Sequence, residues 1–170
     1  RQFVIHARKA WLKGLSPKEN REVPPLNYPR VYQLKQDFPA LDISINGGIK
    51  TLAEAEQQLQ YLDGVMIGRE AYTNPYLLSQ VDAVLYQDVW AVPEQHQLVR
   101  LMVPYIEQQM QQGARFWHIA RHMLGLFQGQ PGARQWRRLL SEQGHLVDAK
   151  PELLLQALAL VPESPDATAN

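Results

Sequence analysis

Two apolar runs that each end in glycine constrain the fold of this chain more than any other feature. The first is DISINGGIKT (residues 42–51) and the second is DGVMIGRE (residues 63–70). Between them lies TLAEAEQQLQYL, which has helical apolar spacing and can begin with a capping box formed by Thr51 and Glu54. An earlier apolar run, FVIH (residues 3–6), is followed by a long polar loop and a helical segment, YPRVYQLKQDFP. Continuous apolar strands that alternate with helices predict a parallel sheet covered on both faces.

The strand pattern ends after Tyr86, and the rest of the chain is predicted to be helical. A helix is expected over NPYLLSQVDAVLY, with Pro75 in its first turn, and QDVWAVPEQ then reads as a linker to four glycine-punctuated helical segments. We therefore predict an α/β part over residues 1–90, a small helical bundle over 91–162 and a disordered tail over 163–170. Because almost nothing precedes the first strand, we expect the chain to start within a larger fold.

Composition narrows the chemistry that this chain can perform. Cysteine is absent from the 170 residues, which excludes disulfides, thiolate metal sites and a thiol nucleophile within the chain. The hydrophobic content of 45% allows a sizeable core, whereas no apolar stretch approaches the length of a membrane span. We expect a cytoplasmic protein with no membrane partner and no metal. The net charge is zero, so any polyanion partner must be recognised by a local cluster of basic residues.

The ends of the predicted strands form the first candidate site. In α/β barrels, ligands bind at the carboxyl ends of the strands, and a phosphate commonly lies at the loops after the last two. Asn46-Gly47-Gly48 and Gly68-Arg69 fit such positions, because glycine lets backbone N–H groups approach a phosphate and arginine pairs with it in bidentate fashion. His6 ends the first strand, so we expect all six residues to converge. The alternative is that the glycines only form tight turns and that His6 is a structural hydrogen-bonding residue.

Two clusters of basic residues form the second candidate site. The basic loop (residues 8–21) contains Arg8, Lys9, Lys13, Lys18 and Arg21. Such a loop fits a polyanion, unless Glu19 and Glu22 neutralise it locally.

The helical part is basic between residues 108 and 141, where five arginines and two histidines occur without any acidic residue. Three of the arginines share a helix face that we expect to be exposed and unneutralised, a fourth lies on the preceding helix, and two tryptophans interleave with them: Arg134, Arg137, Arg138, Arg121, Trp117 and Trp136. This combination fits structured RNA. The alternative is a solvated basic helix with its tryptophan in the core.

His118 and His122 are four residues apart, as helical metal ligands can be. They lack the glutamate of the zinc-protease signature and an evident third ligand. We interpret them as a polar face or as nucleic-acid contacts.

At these residues the chain resembles the bacterial tRNA-dihydrouridine synthases, specifically their A-type subfamily. The resemblance is carried by four blocks that together extend over most of the chain: HARKAWLKGLSPKENREVPPLNYPRVYQLK, SINGGI, DGVMIGREAY and RHMLGLFQGQPGARQWRR. It implies an FMN-binding (β/α)8 TIM barrel followed by a helical tRNA-binding domain. It also implies reduction of a specific D-loop uridine, at positions 20 and 20a, by a flavin that NADPH reduces.

The resemblance also implies roles for individual residues. The implied FMN contacts are His6, Asn46, Gly47, Gly48, Gly68 and Arg69. The implied tRNA contacts are the KENR segment, Lys18, Glu19, Asn20 and Arg21, together with Arg134, Arg137 and Arg138; Arg121 joins them on the basis of the basic stretch.

The chain departs from the family in one respect that matters for chemistry. The family uses a cysteine as proton donor, and this chain has none. The resemblance therefore implies that residues 1–90 are about strands 6 to 8 of the barrel, in the C-terminal half of an enzyme that is a monomer at full length. Two other functions stay open, namely an FMN- or phosphate-binding barrel oxidoreductase acting on a small molecule and a stand-alone RNA-binding helical module.

Overall fold

The structure, a computed structural model, describes residues 1–89 and 91–163. It divides the chain into two compact units, Arg1–Ala71 and Tyr72–Asn170. Of the predicted tail, residues 164–170 lie outside the described part of the chain, so this prediction stays as it was.

The first unit is built on a three-stranded parallel sheet, as predicted from the apolar runs. Its strands are β1 (Gln2–His6), β2 (Asp42–Asn46) and β3 (Gly64–Met66), in the order β1-β2-β3. The register pairs His6 with Asn46 and Asn46 with Met66, so the carboxyl ends of the three strands lie side by side along one end of the sheet, its carboxyl-terminal edge. The central strand, β2, contributes the fully buried side chains of the sheet, Ile43 and Ile45. β1 and β3 form the edges of this sheet.

Two helices connect the strands of this unit, α1 (Tyr28–Asp37) and α2 (Leu52–Leu59). The predicted capping box of α2 is confirmed: the Thr51 hydroxyl accepts the Glu54 N–H at 3.1 Å, and the Glu54 carboxylate accepts the Thr51 N–H at 3.0 Å. Val31 of α1 and Leu52 and Ala55 of α2 are buried in the core.

The amino-terminal edge of the sheet is fastened by one carboxylate. Asp63, just before β3, accepts the Ile43 N–H of β2 at 2.8 Å and pairs with the Lys35 ammonium of α1 at 2.7 Å. These contacts hold the pKa of Asp63 below its ordinary value, chiefly through the Ile43 hydrogen bond. Lys35 also donates to the Leu41 carbonyl at 2.8 Å. A helix and two strands therefore meet at this residue.

The described part of the second unit is helical. A short helix, α3 (Arg69–Thr73), leads into it, followed by a 3-10 helix at Pro75–Gln80, α4 (Val81–Leu85) and α5 (Gln95–Gln111). The chain continues with α6 (Phe116–Ala120), a 3-10 turn at Arg121–Met123, α7 (Ala133–Gln143) and α8 (Glu152–Leu158). Phe116, Phe127 and Trp136 are almost completely buried in the core of this unit.

The division between the units precedes the predicted boundary at residue 90. The segment after Ala71 packs with the helical core, where the Tyr76 ring contacts the buried cluster and its hydroxyl donates to the Pro93 carbonyl at 3.3 Å. Gly125 is close enough to Thr73 that a Cβ there would lie 2.1 Å from the Thr73 carbonyl oxygen. The segment predicted as one helix before residue 90 thus packs as part of the helical unit. None of the helices described is both long and apolar enough to cross a membrane.

Candidate functional site

The carboxyl-terminal edge of the sheet brings the six predicted ligand residues of the first unit together. His6 and Asn46 are neighbours across β1 and β2, and the Ala7 N–H donates to the Asn46 carbonyl at 2.8 Å. Gly47 and Gly48 follow β2 directly, and Gly68 and Arg69 follow β3 after one intervening residue. The predicted convergence at one end of a parallel sheet is therefore confirmed as geometry, whereas their ligand stays a prediction.

A tight turn alone explains why residues 47 and 48 are glycines, as the alternative interpretation of Gly47 and Gly48 stated. Their φ angles are +129° and +76°, which favour glycine. A Cβ on Gly48 would lie 2.6 Å from a methyl carbon of Leu26, and one on Gly47 would lie 3.2 Å from the other methyl carbon. The Tyr28 hydroxyl also donates to the Gly47 carbonyl at 2.7 Å. The glycines let the chain turn under Leu26 and Tyr28, neither of which sequence reasoning placed at this site.

Gly68 is different, because neither its conformation nor its packing requires glycine. Its φ lies outside the left-handed region, and a Cβ there would meet nothing within 4 Å. The Gly48 N–H, in turn, donates to no acceptor among the residues that the structure describes. Space beside one turn and an available N–H at the other are what an anionic ligand at this edge requires.

Arg69 is held at this edge by the carboxylate of Glu22, a residue that sequence reasoning considered only as a neutraliser of the basic loop. Its guanidinium lies 2.7 Å from the Glu22 carboxylate and also donates to the Arg21 carbonyl at 3.5 Å. The side chains of Arg69 and Glu22 are 59% and 48% exposed, so the pair is of the solvated kind that contributes about 0–1 kcal/mol. A phosphate can therefore compete with Glu22 for Arg69 at small cost. Since Glu22 is engaged here, the alternative that it neutralises the lysines of the basic loop is not what the structure shows.

The electrostatic field at His6 is positive. Partial burial lowers the pKa of His6 below 6.5, and the guanidinium groups of Arg8, Arg21 and Arg69 lower it further. The imidazole is consequently neutral at pH 7 and can donate a hydrogen bond without carrying a charge. A site with three guanidinium groups around a neutral histidine favours an anion.

Arg8 is a site residue that sequence reasoning counted only as one of the loop's cations. Its terminal nitrogen donates to the Glu22 carbonyl at 3.3 Å and to the Pro24 carbonyl. Its Nε is buried and has no partner among the described residues. Arg8, at the beginning of the basic loop, thus holds the segment that directly follows the loop. Its unsatisfied Nε lowers the free energy of unfolding unless a ligand or water pairs with it.

The KENR segment organises the basic loop from within. Glu19 forms a cap with Ser16, whose N–H donates to the Glu19 carboxylate at 2.7 Å. Hydrogen bonding with the Ser16 side chain, and next with the Ser16 N–H, lowers the pKa of Glu19. The Asn20 amide accepts the Trp11 N–H at 2.7 Å and donates to the Trp11 carbonyl at 3.0 Å. Lys18 and Arg21 are exposed. The polar atoms of Glu19 and Asn20 are therefore used inside the loop, which leaves Lys18 and Arg21 as the exposed groups of the KENR segment.

The basic surface of the helical unit differs from expectation at two residues. Arg121, Arg134, Arg137 and Arg138 are exposed, as the helical spacing predicted. Trp136 is fully buried, with its indole N–H donating to the Met123 carbonyl at 3.1 Å, so it is a core residue and no RNA contact. Arg138 pairs at 2.8 Å with Glu142, which lies one helical turn further along α7 and directly follows the acid-free stretch. The expectation that these arginines have no neutralising acid was therefore wrong for Arg138.

Both histidines of this stretch, His118 and His122, are exposed, and His122 contacts two neighbouring side chains. Arg121 donates to the His122 ring at 3.2 Å, and the rings of Tyr72 and His122 meet edge to face with centroids 5.6 Å apart. Across the described ranges of the chain, no three residues of metal-binding type cluster together.

Comparison with known proteins shows which family this chain belongs to. The model of the dihydrouridine synthase (Dus) family matches residues 1–161. The chain belongs to the dihydrouridine synthase family. This confirms the resemblance predicted from the sequence blocks.

Individual dihydrouridine synthases are similar to the chain over nearly all of its length. It is 61% identical to the tRNA-dihydrouridine(20/20a) synthase of Vibrio vulnificus, over 97% of this chain and 51% of that protein. The tRNA-dihydrouridine(20/20a) synthases of Vibrio cholerae and Yersinia pestis are 60% and 62% identical, each over 95% of this chain and over 49% and 47% of their own lengths. The chain spans about half the length of the curated relatives it matches.

Dihydrouridine synthases are flavin-dependent enzymes, and the carboxyl edge fits the phosphate of a flavin. The fit rests on the space at Gly68, the N–H of Gly48, the unsatisfied Nε of Arg8 and the weakly held guanidinium of Arg69. All four lie in the first unit. Phosphate oxygens accept hydrogen bonds, so the three N–H donors among these features offer what a phosphate binds, and Gly68 leaves room for it.

Proposed function

We propose that this chain is part of a tRNA-dihydrouridine synthase that reduces uridines 20 and 20a of tRNA to 5,6-dihydrouridine, with FMN as cofactor and NADPH as reductant. The observation that carries the proposal is the cationic carboxyl edge in a chain about 60% identical to enzymes named for this reaction. A tRNA substrate implies a cytoplasmic enzyme.

The architecture proposed for the full-length protein is an FMN-binding (β/α)8 barrel followed by a helical tRNA-binding domain. Residues 1–90 would be about strands 6 to 8 of the barrel and residues 91–162 the helical domain. The compact units divide the chain earlier, so we propose that the segment after Ala71 belongs structurally to the helical domain. The open edges at β1 and β3 support pairing with further barrel strands, and we expect the complete protein to be a monomer.

The proposed flavin contacts are the residues at the carboxyl edge: His6, Asn46, Gly47, Gly48, Gly68 and Arg69. Arg69 would exchange Glu22 for the phosphate, and the Gly48 N–H would donate to it. Bound FMN would supply the hydride that uracil reduction requires. His6, neutral at pH 7, would hold its ligand by a hydrogen bond and would add no positive charge to that of the three arginines. The proton donor is not proposed within this chain, because the chain contains no cysteine.

Proposed tRNA contacts lie on both units. In the basic loop they are Lys18 and Arg21, whereas Glu19 and Asn20 act by shaping the loop. In the helical unit they are Arg121, Arg134, Arg137 and Arg138. These cations would bind phosphates and so repay the few kcal/mol, roughly, that extruding a target base costs.

The experiment that tests the flavin site substitutes Arg69 in the protein expressed from its complete reading frame. Arg69→Ala removes a charge-assisted bond of roughly 1.5–3 kcal/mol, so the Kd for FMN should rise about 10- to 150-fold. The FMN-to-protein ratio, read from the flavin absorbance of the purified protein, measures it.

A matched control is Arg100→Ala in the helical unit, where Arg100 also pairs with a carboxylate, Glu163, on the surface. This control should retain its flavin. If Arg69→Ala is as yellow as wild type, the assignment of the phosphate site fails. If wild-type protein forms no dihydrouridine in tRNA when supplied with NADPH, as read by nucleoside mass spectrometry, the proposed function fails.

A further inference from the structure

We propose that Trp11 is a stacking platform for an unpaired base of the RNA substrate and that Asn20 is the positioning residue that holds this platform in place. The inference rests on the proposed function, because it names the group that meets a tRNA substrate on the basic loop. It replaces a direct RNA contact for Asn20 by an indirect one.

The exposure of the tip of the basic loop is the first observation. The Trp11 side chain is 47% exposed and its neighbour Leu12 is 94% exposed. Tryptophan is on average a highly buried residue, so a half-exposed ring beside a fully exposed leucine presents an apolar face that no residue in the described part of the chain covers.

The backbone beneath the exposed ring is fixed, which separates Trp11 from an ordinary surface aromatic. The Asn20 side chain binds both polar backbone groups of Trp11, the N–H at 2.7 Å and the carbonyl at 3.0 Å, and also reaches the Leu15 carbonyl at 3.4 Å. Asn20 itself lies in the 3-10 turn Glu19–Arg21, which the Ser16–Glu19 cap fastens. A ring on a fixed backbone loses little conformational entropy when a ligand stacks on it.

The charges around Trp11 decide what kind of ligand fits. Lys9 and Lys13 lie two residues to either side of it and are exposed. The loop has five cations against one carboxylate, Glu19, and that carboxylate is engaged by the Ser16 N–H. An aromatic face for a base, flanked by cations for the neighbouring phosphates, is the arrangement that binds unpaired nucleotides of RNA. An acidic protein would also meet the cations, but every nucleotide carries both a planar base and a phosphate, and this combination matches a ring flanked by cations.

The test measures the affinity of the protein, expressed from its complete reading frame, for an unmodified tRNA transcript at several salt concentrations. Trp11→Ala should weaken binding about 5- to 150-fold, the range for loss of one base–aromatic stack. The slope of log K against log salt should stay unchanged, because stacking releases no counterions. Trp11→Phe should retain most of the affinity. The melting temperature and FMN content of both variants should equal those of wild type.

Two control variants bracket this result. Lys13→Ala should flatten the salt slope by about one, as expected for a lost phosphate contact. Phe38→Ala removes an aromatic ring of similar exposure, 53%, from the end of α1, which leads to the amino-terminal end of β2. It should change neither the affinity nor the slope.

A double-mutant cycle tests the role of Asn20. Asn20→Ala should weaken tRNA binding when Trp11 is present and add little in the Trp11→Ala background, because residues that act as one unit are not additive. Additive losses would mean that Asn20 acts independently, which overturns its assignment as a positioning residue.

The platform itself is overturned if wild-type protein binds tRNA but Trp11→Ala binds it with equal affinity. It is also overturned if Trp11→Ala changes the salt slope, or if its only loss is the capture of a protein partner. Absence of tRNA binding by wild-type protein would instead overturn the proposed function.

Discussion

At the scale of single residues, the carboxyl-terminal edge of the sheet contains two arginines whose polar contacts are solvent-exposed or incomplete. Arg69 is paired with Glu22 in a solvated ion pair, and Arg8 is tied to two backbone carbonyls with one buried nitrogen left over. Partial burial first, and then the charges of Arg8, Arg21 and Arg69, lower the pKa of His6, so its ring is neutral at pH 7. The edge therefore presents donors and positive charge to a ligand, which would compete with Glu22 for Arg69.

One prediction concerns the ionisation of His6. Arg8→Gln removes the guanidinium that depresses the His6 pKa most after burial, so this pKa should rise toward 6.5. NMR titration of the His6 ring protons measures it. Because the folded-state pKa lies below the unfolded value of about 6.5, the unfolded state binds protons first as the pH falls through that value. The wild-type protein should thus lose stability below pH 6.5, and Arg8→Gln should lose less of it from this group. An unchanged His6 pKa in the variant would mean that Arg8 does not contribute to the field.

At the scale of elements, helix α7 combines an exposed basic face with a buried aromatic one. Arg134 and Arg137 project from the exposed face, whereas Trp136 packs on Phe127 with ring centroids 5.0 Å apart. Gly132 precedes the helix with a φ of +80°. This geometry brings the start of α7 against the chain that leaves α8.

The glycine before α7 offers a test of that packing. A Cβ on Gly132 would lie 2.3 Å from the Leu160 carbonyl oxygen, in addition to the strain of a positive φ. Gly132→Ala should therefore lower the free energy of unfolding by about 2–4 kcal/mol. Gly129→Ala is the matched control, because Gly129 has a φ of +84° but would place its Cβ in open space. It should cost only the conformational strain, about 1–2 kcal/mol. Equal losses in urea denaturation of the two variants would contradict the packing argument.

The basic face of α7 leads to a second prediction at this scale. Arg134→Ala should weaken tRNA binding by roughly 1.5–3 kcal/mol and flatten the salt slope by about one. Arg138→Ala should change the slope less, since Glu142 already neutralises part of its charge. Glu142→Gln should accordingly strengthen tRNA binding. Slopes measured by fluorescence anisotropy at several salt concentrations decide between these outcomes, and an Arg134→Ala variant with a lower melting temperature but an unaltered slope would exclude Arg134 as a phosphate contact.

Elements whose signals are local could be predicted from the sequence, and contacts that join distant segments could not. The capping box of α2 lies within four residues, and the apolar runs of the three strands are continuous, so the start of this helix and the three strands could be predicted from the sequence. The Arg69–Glu22 pair joins residues far apart in the chain, and nothing near either residue indicates the other. The sequence favoured Trp136 as part of an RNA-binding face and kept the core as the alternative, because helical spacing alone does not say which face of a helix is buried.

At the scale of the whole molecule, two compact units carry two kinds of positive surface. The first unit has the cationic edge and the basic loop, and the second has the arginines of α6 to α7. The first unit also leaves Phe3, Val4 and Met66 half-exposed on the edge strands of its sheet. Exposed apolar edge strands pair readily with other chains.

The open sheet predicts how the 170-residue chain behaves by itself. It should form no dihydrouridine, because the family's proton-donating cysteine is absent from it, and it should associate through its sheet edges as its concentration rises. Light scattering during size-exclusion chromatography measures the association, with the protein from the complete reading frame as the comparison, expected to be a monomer. A strictly monomeric 170-residue chain that reduces tRNA uridines would refute both expectations.

The carboxylate of Asp63 fastens a helix and two strands at the end of the sheet opposite to the candidate ligand edge. Stability and chemistry are thereby assigned to opposite ends of the same strands. Apart from Gly47 and Gly48, whose conformation and packing require glycine, residues in the turns at the ligand end can be exchanged without disturbing this fastening. A designer who wishes to redirect the specificity of such a protein should therefore vary the loops after β1, β2 and β3 and leave Lys35, Asp63 and their neighbours unchanged.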